Sequence, residues 1–242
     1  MSARIDPSGT VRSYRYYDFV MVAFVTVLIC SNFIGAAKQT TLDLPLLGAT
    51  TFSGGVLFFP ISYIFGDILT EVYGYGRDRR VVWAAFGALA FATFMAWVVV
   101  SLPPAGSDFM KSYQGHLEGV FGNSWRIALG SMIAFWCGSF ANSYTLAKMK
   151  ILTGGKWLWT RTIGSTLIGE LIDTTLFVFI AFYGIWATGD LVKIAIAQYL
   201  LKTCWEIVMT PVTYKVVGFL KRVENEDYYD RNTNFTPFSV KV

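Results

Sequence analysis

The chain has 242 residues, of which 54% are hydrophobic and only 15% charged, with a formal net charge of +4. Ordinary soluble domains carry about 25% charged residues, so this composition excludes a water-soluble globule. A surplus this small also needs no nucleic-acid partner to account for it.

The apolar residues come in long runs. Residues 19–37, 44–66, 81–107 and 127–147 contain no Asp, Glu, Lys or Arg. Each run is about 20 residues or more, enough to cross about 30 Å of hydrocarbon as a helix. The pattern predicts an all-α membrane protein with six transmembrane helices, at 18–38, 52–74, 81–102, 126–149, 163–187 and 191–220. Residues 1–17 then form an N-terminal segment, 18–220 the six-helix transmembrane domain and 221–242 a tail. The first run is longer than a signal-peptide core and leads straight into further spans. Cys30, Cys137 and Cys204 all fall inside apolar segments and read as small packing residues. The single histidine, His116, falls in a polar stretch read as a loop, which excludes a histidine-rich metal site. No cofactor is expected.

Basic residues alternate along the chain. Arg4, Arg12 and Arg15 precede the first helix, and Arg77, Arg79 and Arg80 follow the second. Lys148, Lys150, Lys156 and Arg161 surround the fourth-to-fifth connection, and Lys215, Lys221 and Arg222 end the last helix. The other connections hold only Lys38, Lys111, Arg126 and Lys193. The positive-inside bias places both termini in the cytoplasm. The stretch Glu224–Asp230 (ENEDYYD) is acidic and is expected to be a mobile tail. Gly154-Gly155-Lys156 lacks the flanks of a phosphate-binding loop and reads as a turn.

Several ionisable residues sit where they are costly. On a helix starting near Arg161, Glu170 and Asp173 lie about 13 to 18 Å deep, near the bilayer middle. Lys202 and Glu206 lie at similar depth, Asp67 nearer the inner side, and Glu71 close to the inner interface. A central charge costs at least about 2.5–3.5 kcal/mol, so these groups must face the interior, pair, or meet water. The spacings i, i+4 for Asp67 and Glu71, i, i+3 for Glu170 and Asp173, and i, i+4 for Lys202 and Glu206 put each pair on one helix face. Three charged faces suit one polar cavity. Four carboxylates (Asp67, Glu170, Asp173, Glu206) share a single lysine, so some await a proton, a hydroxyl or amide donor, or a ligand that brings donors.

Each signal has a plainer reading. Lys202 with Glu206 can be a structural ion pair, and Glu71 an interfacial residue near Arg77 and Arg79. Asn32 and Asn142 can be interhelical glue. Tyr63 and other aromatics can be packing. A cavity of carboxylates, amides and rings suits a flat, donor-rich molecule, since a carboxylate accepts adjacent N–H groups in a bidentate pair. Spacing alone leaves a guanine-like base, a cationic vitamin and an amino acid all open.

The stretch FPISYIFGDILTEVYGYGRDRR, with FANSYTLAKMK, WTRTIGSTLIGELIDT and KTCWEIVMTPVTY in order behind it, resembles the queuosine precursor transporters of the vitamin uptake transporter family. The resemblance spans residues 18–220. It implies a fold similar to the substrate-binding components of energy-coupling-factor transporters. It also implies inner-membrane uptake of 7-deazaguanine bases (7-cyano-7-deazaguanine, 7-aminomethyl-7-deazaguanine or queuine) for tRNA modification. The residues it carries over are Asp67, Glu71, Asn142, Arg161, Ser165, Glu170, Asp173, Lys202 and Glu206, with Asn32 also fitting. The resulting picture is a transporter, not an enzyme. Glu170 or Glu206 accepts the base near the midplane, Lys202 holds a carboxylate in the empty site, and Asp67 lines the inner path. Glu71 and Arg77 serve a cytoplasmic gate. Its partners are the base and membrane lipid, with a homo-oligomer left open and no nucleic acid. The rival readings are a capture subunit for another vitamin or nucleobase with a separate energising module, and an intramembrane aspartyl protease built on Asp67 and Asp173. The protease lacks its supporting motifs.

Overall fold

The computed structural model describes residues 4–5, 11–35, 38–44, 48–122 and 125–239. Helix α1, Tyr17–Cys30, continues into a π-helical turn at Ser31–Gly35. Then come α2 (Gly55–Tyr73), α3 (Tyr75–Ser101), α4 (Asp108–Phe121), α5 (Trp125–Leu152), α6 (Leu158–Phe182) and α7 (Thr188–Glu224). Each of the six expected helices overlaps an observed one, though Lys38, Phe52, Ser53 and residues 183–187 lie outside helices. Ala36 and Ala37, inside the first expected helix, lie outside the described residues.

Four features depart from the expectation. Strands β1 (Arg4–Ile5) and β2 (Val11–Arg12) pair ahead of α1. Residues before α2 form an antiparallel hairpin of β3 (Gln39–Leu44) and β4 (Gly48–Ser53), with Gln39 opposite Ser53. The β-branched Thr40, Thr41, Thr50 and Thr51 favour that pairing over a helix. Helix α4, capped by Ser107 Oγ accepting from the Met110 N–H at 3.3 Å, replaces the loop expected around His116. Finally, α3 begins at Tyr75, so Arg77, Arg79 and Arg80 form its first turns and not a connecting loop.

The whole α2–α3 connection is therefore Gly74, at φ 88° and ψ 161°, a conformation essentially reserved for glycine. A Cβ there would also overlap the Tyr228 ring. Gly74→Ala is expected to cost about 1–3 kcal/mol in backbone strain before any displacement of Tyr228, read as a lower melting temperature in detergent.

The bundle is inside-out relative to a soluble protein. Phe91, Phe94 and Trp97 of α3, Leu171 of α6, and Ile207 and Val208 of α7 are exposed, while Asp67, Glu71, Glu170 and Glu206 are at most 1% exposed. By length and composition, Tyr17–Gly35, Tyr75–Ser101 and Leu158–Phe182 can each cross a membrane. An apolar rim around a charged centre is what hydrocarbon solvent selects.

Both chain ends gather at one end of the bundle. Glu224 accepts hydrogen bonds from the Tyr16 N–H at 2.7 Å and the Arg15 N–H at 3.0 Å, and Tyr14 Oη donates to Glu226 at 2.6 Å. The tail expected to be mobile is docked here. The Asp230 carboxylate accepts from the Tyr75 N–H at 3.1 Å, Arg79 Nη1 donates to the Asn234 and Thr236 carbonyls at 2.7 Å, and Trp83 Nε1 donates to the Pro237 carbonyl at 2.8 Å. Phe235 and Phe238 pack against Tyr75, Tyr144 and Trp136. Its acidic composition suggested solvation, but the aromatic residues interleaved with those charges anchor it.

Candidate functional site

The site is built on a close crossing of α5 and α6. A Cβ on Gly169 would lie 2.8 Å from Asn142 Cβ, 2.9 Å from Tyr63 Cε1 and 3.0 Å from the Gly138 carbonyl. A Cβ on Gly138 would meet Tyr63 Oη at 2.5 Å and Asp173 Cβ at 2.7 Å. The two glycines let the helices approach until Tyr63, from α2, touches both. Tyr63 is thereby wedged beside Asp173 and Asn142.

Lys202 crosses from α7 to α6. Its Nζ donates to Asp173 Oδ2 at 2.8 Å and lies 2.8 Å from Glu170 Oε2, an ion pair outside hydrogen-bond geometry. Lys202 is 6% exposed and Glu170 0%. The structural pairing expected between Lys202 and Glu206 is not the one formed. Both Glu206 carboxylate oxygens are buried with no hydrogen-bond partner among the described residues.

Asp67 sits between Glu206 and the other end of the bundle. Its Oδ1 accepts from Asn142 Nδ2 at 2.7 Å, and its Oδ2 has no partner. The charged groups acting on Asp67 are Glu206, Asp78 and Glu71, all carboxylates. Asn142 thus bridges α2 to α5. Asn32 bridges α1 to α5 in the same way, accepting from Ser131 Oγ at 2.5 Å and donating to the Leu28 carbonyl at 2.9 Å.

A cavity of about 650 Å³ opens between the π-helical turn and α3 to α7. Asp173 and Lys202 reach it from one side and Asn32 and Ser131 from another, with Trp97 and Trp125 supplying rings. This volume lies within the range of small-molecule pockets, mostly apolar with a few convergent polar groups. The end of α4 closes over it: Phe121 packs 6.0 Å from Phe33, and Gln114 Nε2 donates to the Val100 carbonyl at 2.8 Å.

A second charged cluster lies where the tail docks. Arg161 grips Glu71 bidentately, Nε to Oε2 and Nη2 to Oε1, both at 2.8 Å. Lys221 Nζ is 2.5 Å from Glu71 Oε1, and Lys150 Nζ is 3.4 Å from the same oxygen. Asp227, from the tail, joins them at 2.6 Å from Lys150 and 2.7 Å from Lys221. Burial works against the Asp227 charge, but hydrogen bonds from Lys150 and Lys221 outweigh it and hold the carboxyl below its usual range.

The structure therefore brings Asp67, Asn142, Glu170, Asp173, Lys202, Glu206 and Tyr63 together, with Asn32 on the cavity wall. Arg161 and Glu71 stand apart in the second cluster, and Ser165 Oγ donates to the Thr162 carbonyl of its own helix at 2.9 Å. No ion pair joins Arg77 to Glu71 among the described residues. Arg77 Nη1 donates to the Tyr73 carbonyl at 3.1 Å, and its guanidinium lies 4.6 Å from the Tyr14 ring centre. The sequence reading missed Lys150, Lys221 and Asp227 as a network, and it missed Asp78. Asp78 is 0% exposed and accepts from Ser143 Oγ at 2.5 Å. Its position between two arginines disguised it as surface. The available signal was Gly74, which lets a helix start at once.

A helical membrane protein with a partly open cavity and unpaired polar groups beneath it is built like a carrier for a small polar solute. Residues 53–216 match the family described as "Putative vitamin uptake transporter". The chain is 34% identical to the "Probable queuosine precursor transporter" of Bacillus subtilis, over 81% of this chain and 81% of that one. It is 26% identical to the "Queuosine precursor transporter" of Escherichia coli, over 88% and 92% of the respective chains. A "Probable queuosine precursor transporter" of Haemophilus influenzae is 24% identical over 80% of this chain and 82% of its own. No solved structure matches. The chain belongs to the vitamin uptake transporter family, a family of transporters and not of enzymes.

Proposed function

We propose that this protein takes up queuosine precursors, as 7-deazaguanine bases, across the bacterial inner membrane. The observation that carries this reading is the partly open cavity with Lys202 and Asp173 on its wall and Glu170 and Glu206 beside them. The names of the relatives point to the same cargo. A deazaguanine presents adjacent N–H groups that a carboxylate accepts in pairs, and Trp97 and Trp125 of the cavity wall offer rings for its flat face. Glu170 or Glu206 accepts that edge, Asp173 and Lys202 hold the site in its empty form, and Asn32 bonds the outer rim of the base. Tyr63 and Asn142 shape the floor, and Asp67 lines the path inward.

In this reading α1, α2, α3, α5, α6 and α7 are the six spans, residues 18–220 form the transporter domain, and both termini are cytoplasmic. The architecture is similar to that of energy-coupling-factor substrate-binding components. The gate is Glu71 with Arg161, Lys150 and Lys221, and Ser165 and Arg77 support its edges.

The test is thermal stability of the detergent-purified protein with guanine, the deazaguanine nitrile and amine, queuine, biotin and thiamine. A ligand that binds only the folded state raises the melting temperature by mass action. A shift with deazaguanines, lost in Glu170→Gln or Glu206→Gln, is the expected result. A shift with biotin or thiamine and none with any deazaguanine overturns the cargo.

A further inference from the structure

Beyond the cavity, toward the docked tail, lies a second buried polar site, in which Asp67 meets Asp78, a residue given no role so far. Asp67 Oδ2, Asp78 Oδ1 and Asn142 Oδ1 are three buried acceptor oxygens without a hydrogen-bond partner among the described residues, and the Thr70 hydroxyl lies beside Asp78. Asp67 and Asp78 are both 0% exposed and Asn142 2%. They come from three helices, α2, α3 and α5, that converge here. Beside Asp78 and Asn142 is a void of about 10 Å³, lined also by Tyr63, Ser139 and Ser143. That is room for about one water.

The surrounding charges do not neutralise this pair. Asp67 faces Glu206 from α7 and Glu71 from its own helix, besides Asp78. Asp78 faces Asp230 from the tail, and acts on Tyr17 of α1 and Tyr75 of α3. The flanking arginines are directed elsewhere, Arg77 to the Tyr73 carbonyl and Arg79 to the Asn234 and Thr236 carbonyls. The α6 carboxylates have Lys202, and Glu71 has Arg161, Lys150 and Lys221. Two buried carboxylates with neighbours of like sign cannot both stand ionised without a partner.

We propose that Asp67 and Asp78, held by the adjacent Asn142 and Ser143 of α5 and with room for one water beside Asp78, form a proton-binding site that couples uptake to a proton gradient. This rests on the transport reading above. The site lies between the cavity and the tail end, as a coupling site must. A proton arriving with the base through the cavity passes to Asp67 by way of Glu206, is shared with Asp78, and leaves on the side where the tail docks. No bond other than O–H forms or breaks, and one charge crosses inward for each base.

The experiment uses proteoliposomes loaded with a fluorescent pH indicator and given labelled 7-cyano-7-deazaguanine. The wild-type protein acidifies the lumen as the base enters, and an inward proton gradient drives accumulation. Asp78→Asn lets the base equilibrate but loses both the acidification and the accumulation. Asp78→Glu restores acidification in part, which a merely structural role would not predict. Base entry by the wild type without acidification overturns the proton site alone, as does acidification by Asp78→Asn equal to wild type. Should Asp78→Asn fail to fold, collapse of wild-type accumulation by a protonophore supports coupling, and indifference to it overturns the proposal. Absence of any base movement in the wild type overturns the transport reading, and the coupling with it.

Discussion

Lys202→Met is expected to lower stability by about 3–5 kcal/mol and to abolish uptake, the largest effect of any single change in the membrane interior. Methionine keeps the length of the side chain and removes the ammonium that lies 2.8 Å from both Glu170 and Asp173. Two carboxylates at most 3% exposed are then left without their cation. Removing one partner of a buried pair costs far more than the pair itself contributes. Stability and function separate in the triple variant Lys202→Met, Glu170→Gln, Asp173→Asn. It recovers much of the lost stability, because neutral amides need no counter-ion, while uptake stays absent. Denaturation in detergent and uptake of labelled base read the two effects. A Lys202→Met protein as stable as wild type would mean that the carboxylates are neutral without their lysine.

Glu71→Ala is expected to cost a similar amount, about 3–5 kcal/mol, at the other cluster. Glu71 is 0% exposed and receives Arg161, Lys221 and Lys150. Its loss leaves Arg161 without its carboxylate and Lys150 and Lys221 sharing Asp227, a half-exposed carboxylate on the tail. Because Asp227 bridges Lys150 and Lys221, the tail loosens as well, and limited proteolysis will cut it faster. Arg161→Lys gives a smaller loss of the same kind, since a lysine cannot reproduce the bidentate grip. The Asp227 carboxyl is held below its usual range, so its contribution to docking is present above that range and is lost only as the pH falls through the lowered value. Mild acid therefore leaves the tail in place, and strong acid releases it.

Much of the interior was readable from sequence because charge is rare in these helices. Asp67, Glu170, Asp173, Lys202 and Glu206 stand out from their apolar surroundings, and their spacing assigns each to a face. Spacing does not choose partners. Lys202 and Glu206 share a face of α7, yet Lys202 bonds across to α6, where two carboxylates offer more than one. Asp78 was hidden for a different reason. A run of arginines reads as a loop unless one glycine at φ 88° closes the turn alone.

The tail and the hairpin were missed because composition was weighed over pattern. ENEDYYD is acidic, but the Tyr228, Tyr229, Phe235 and Phe238 around it are anchoring residues. QTTLDL and GATTFS are rich in β-branched threonine, a strand signal inside an otherwise apolar stretch. The cavity itself was not readable, since its wall comes from segments far apart in the chain, from the π-helical turn to Gln198.

The most direct test of the central claim is uptake of labelled 7-cyano-7-deazaguanine by proteoliposomes containing the purified wild-type protein, with unlabelled guanine, queuine, biotin and thiamine as competitors. Saturable entry of the label, competed by queuine and not by biotin or thiamine, is the predicted result. Entry no faster than into protein-free vesicles, with the protein folded and correctly inserted, would contradict it.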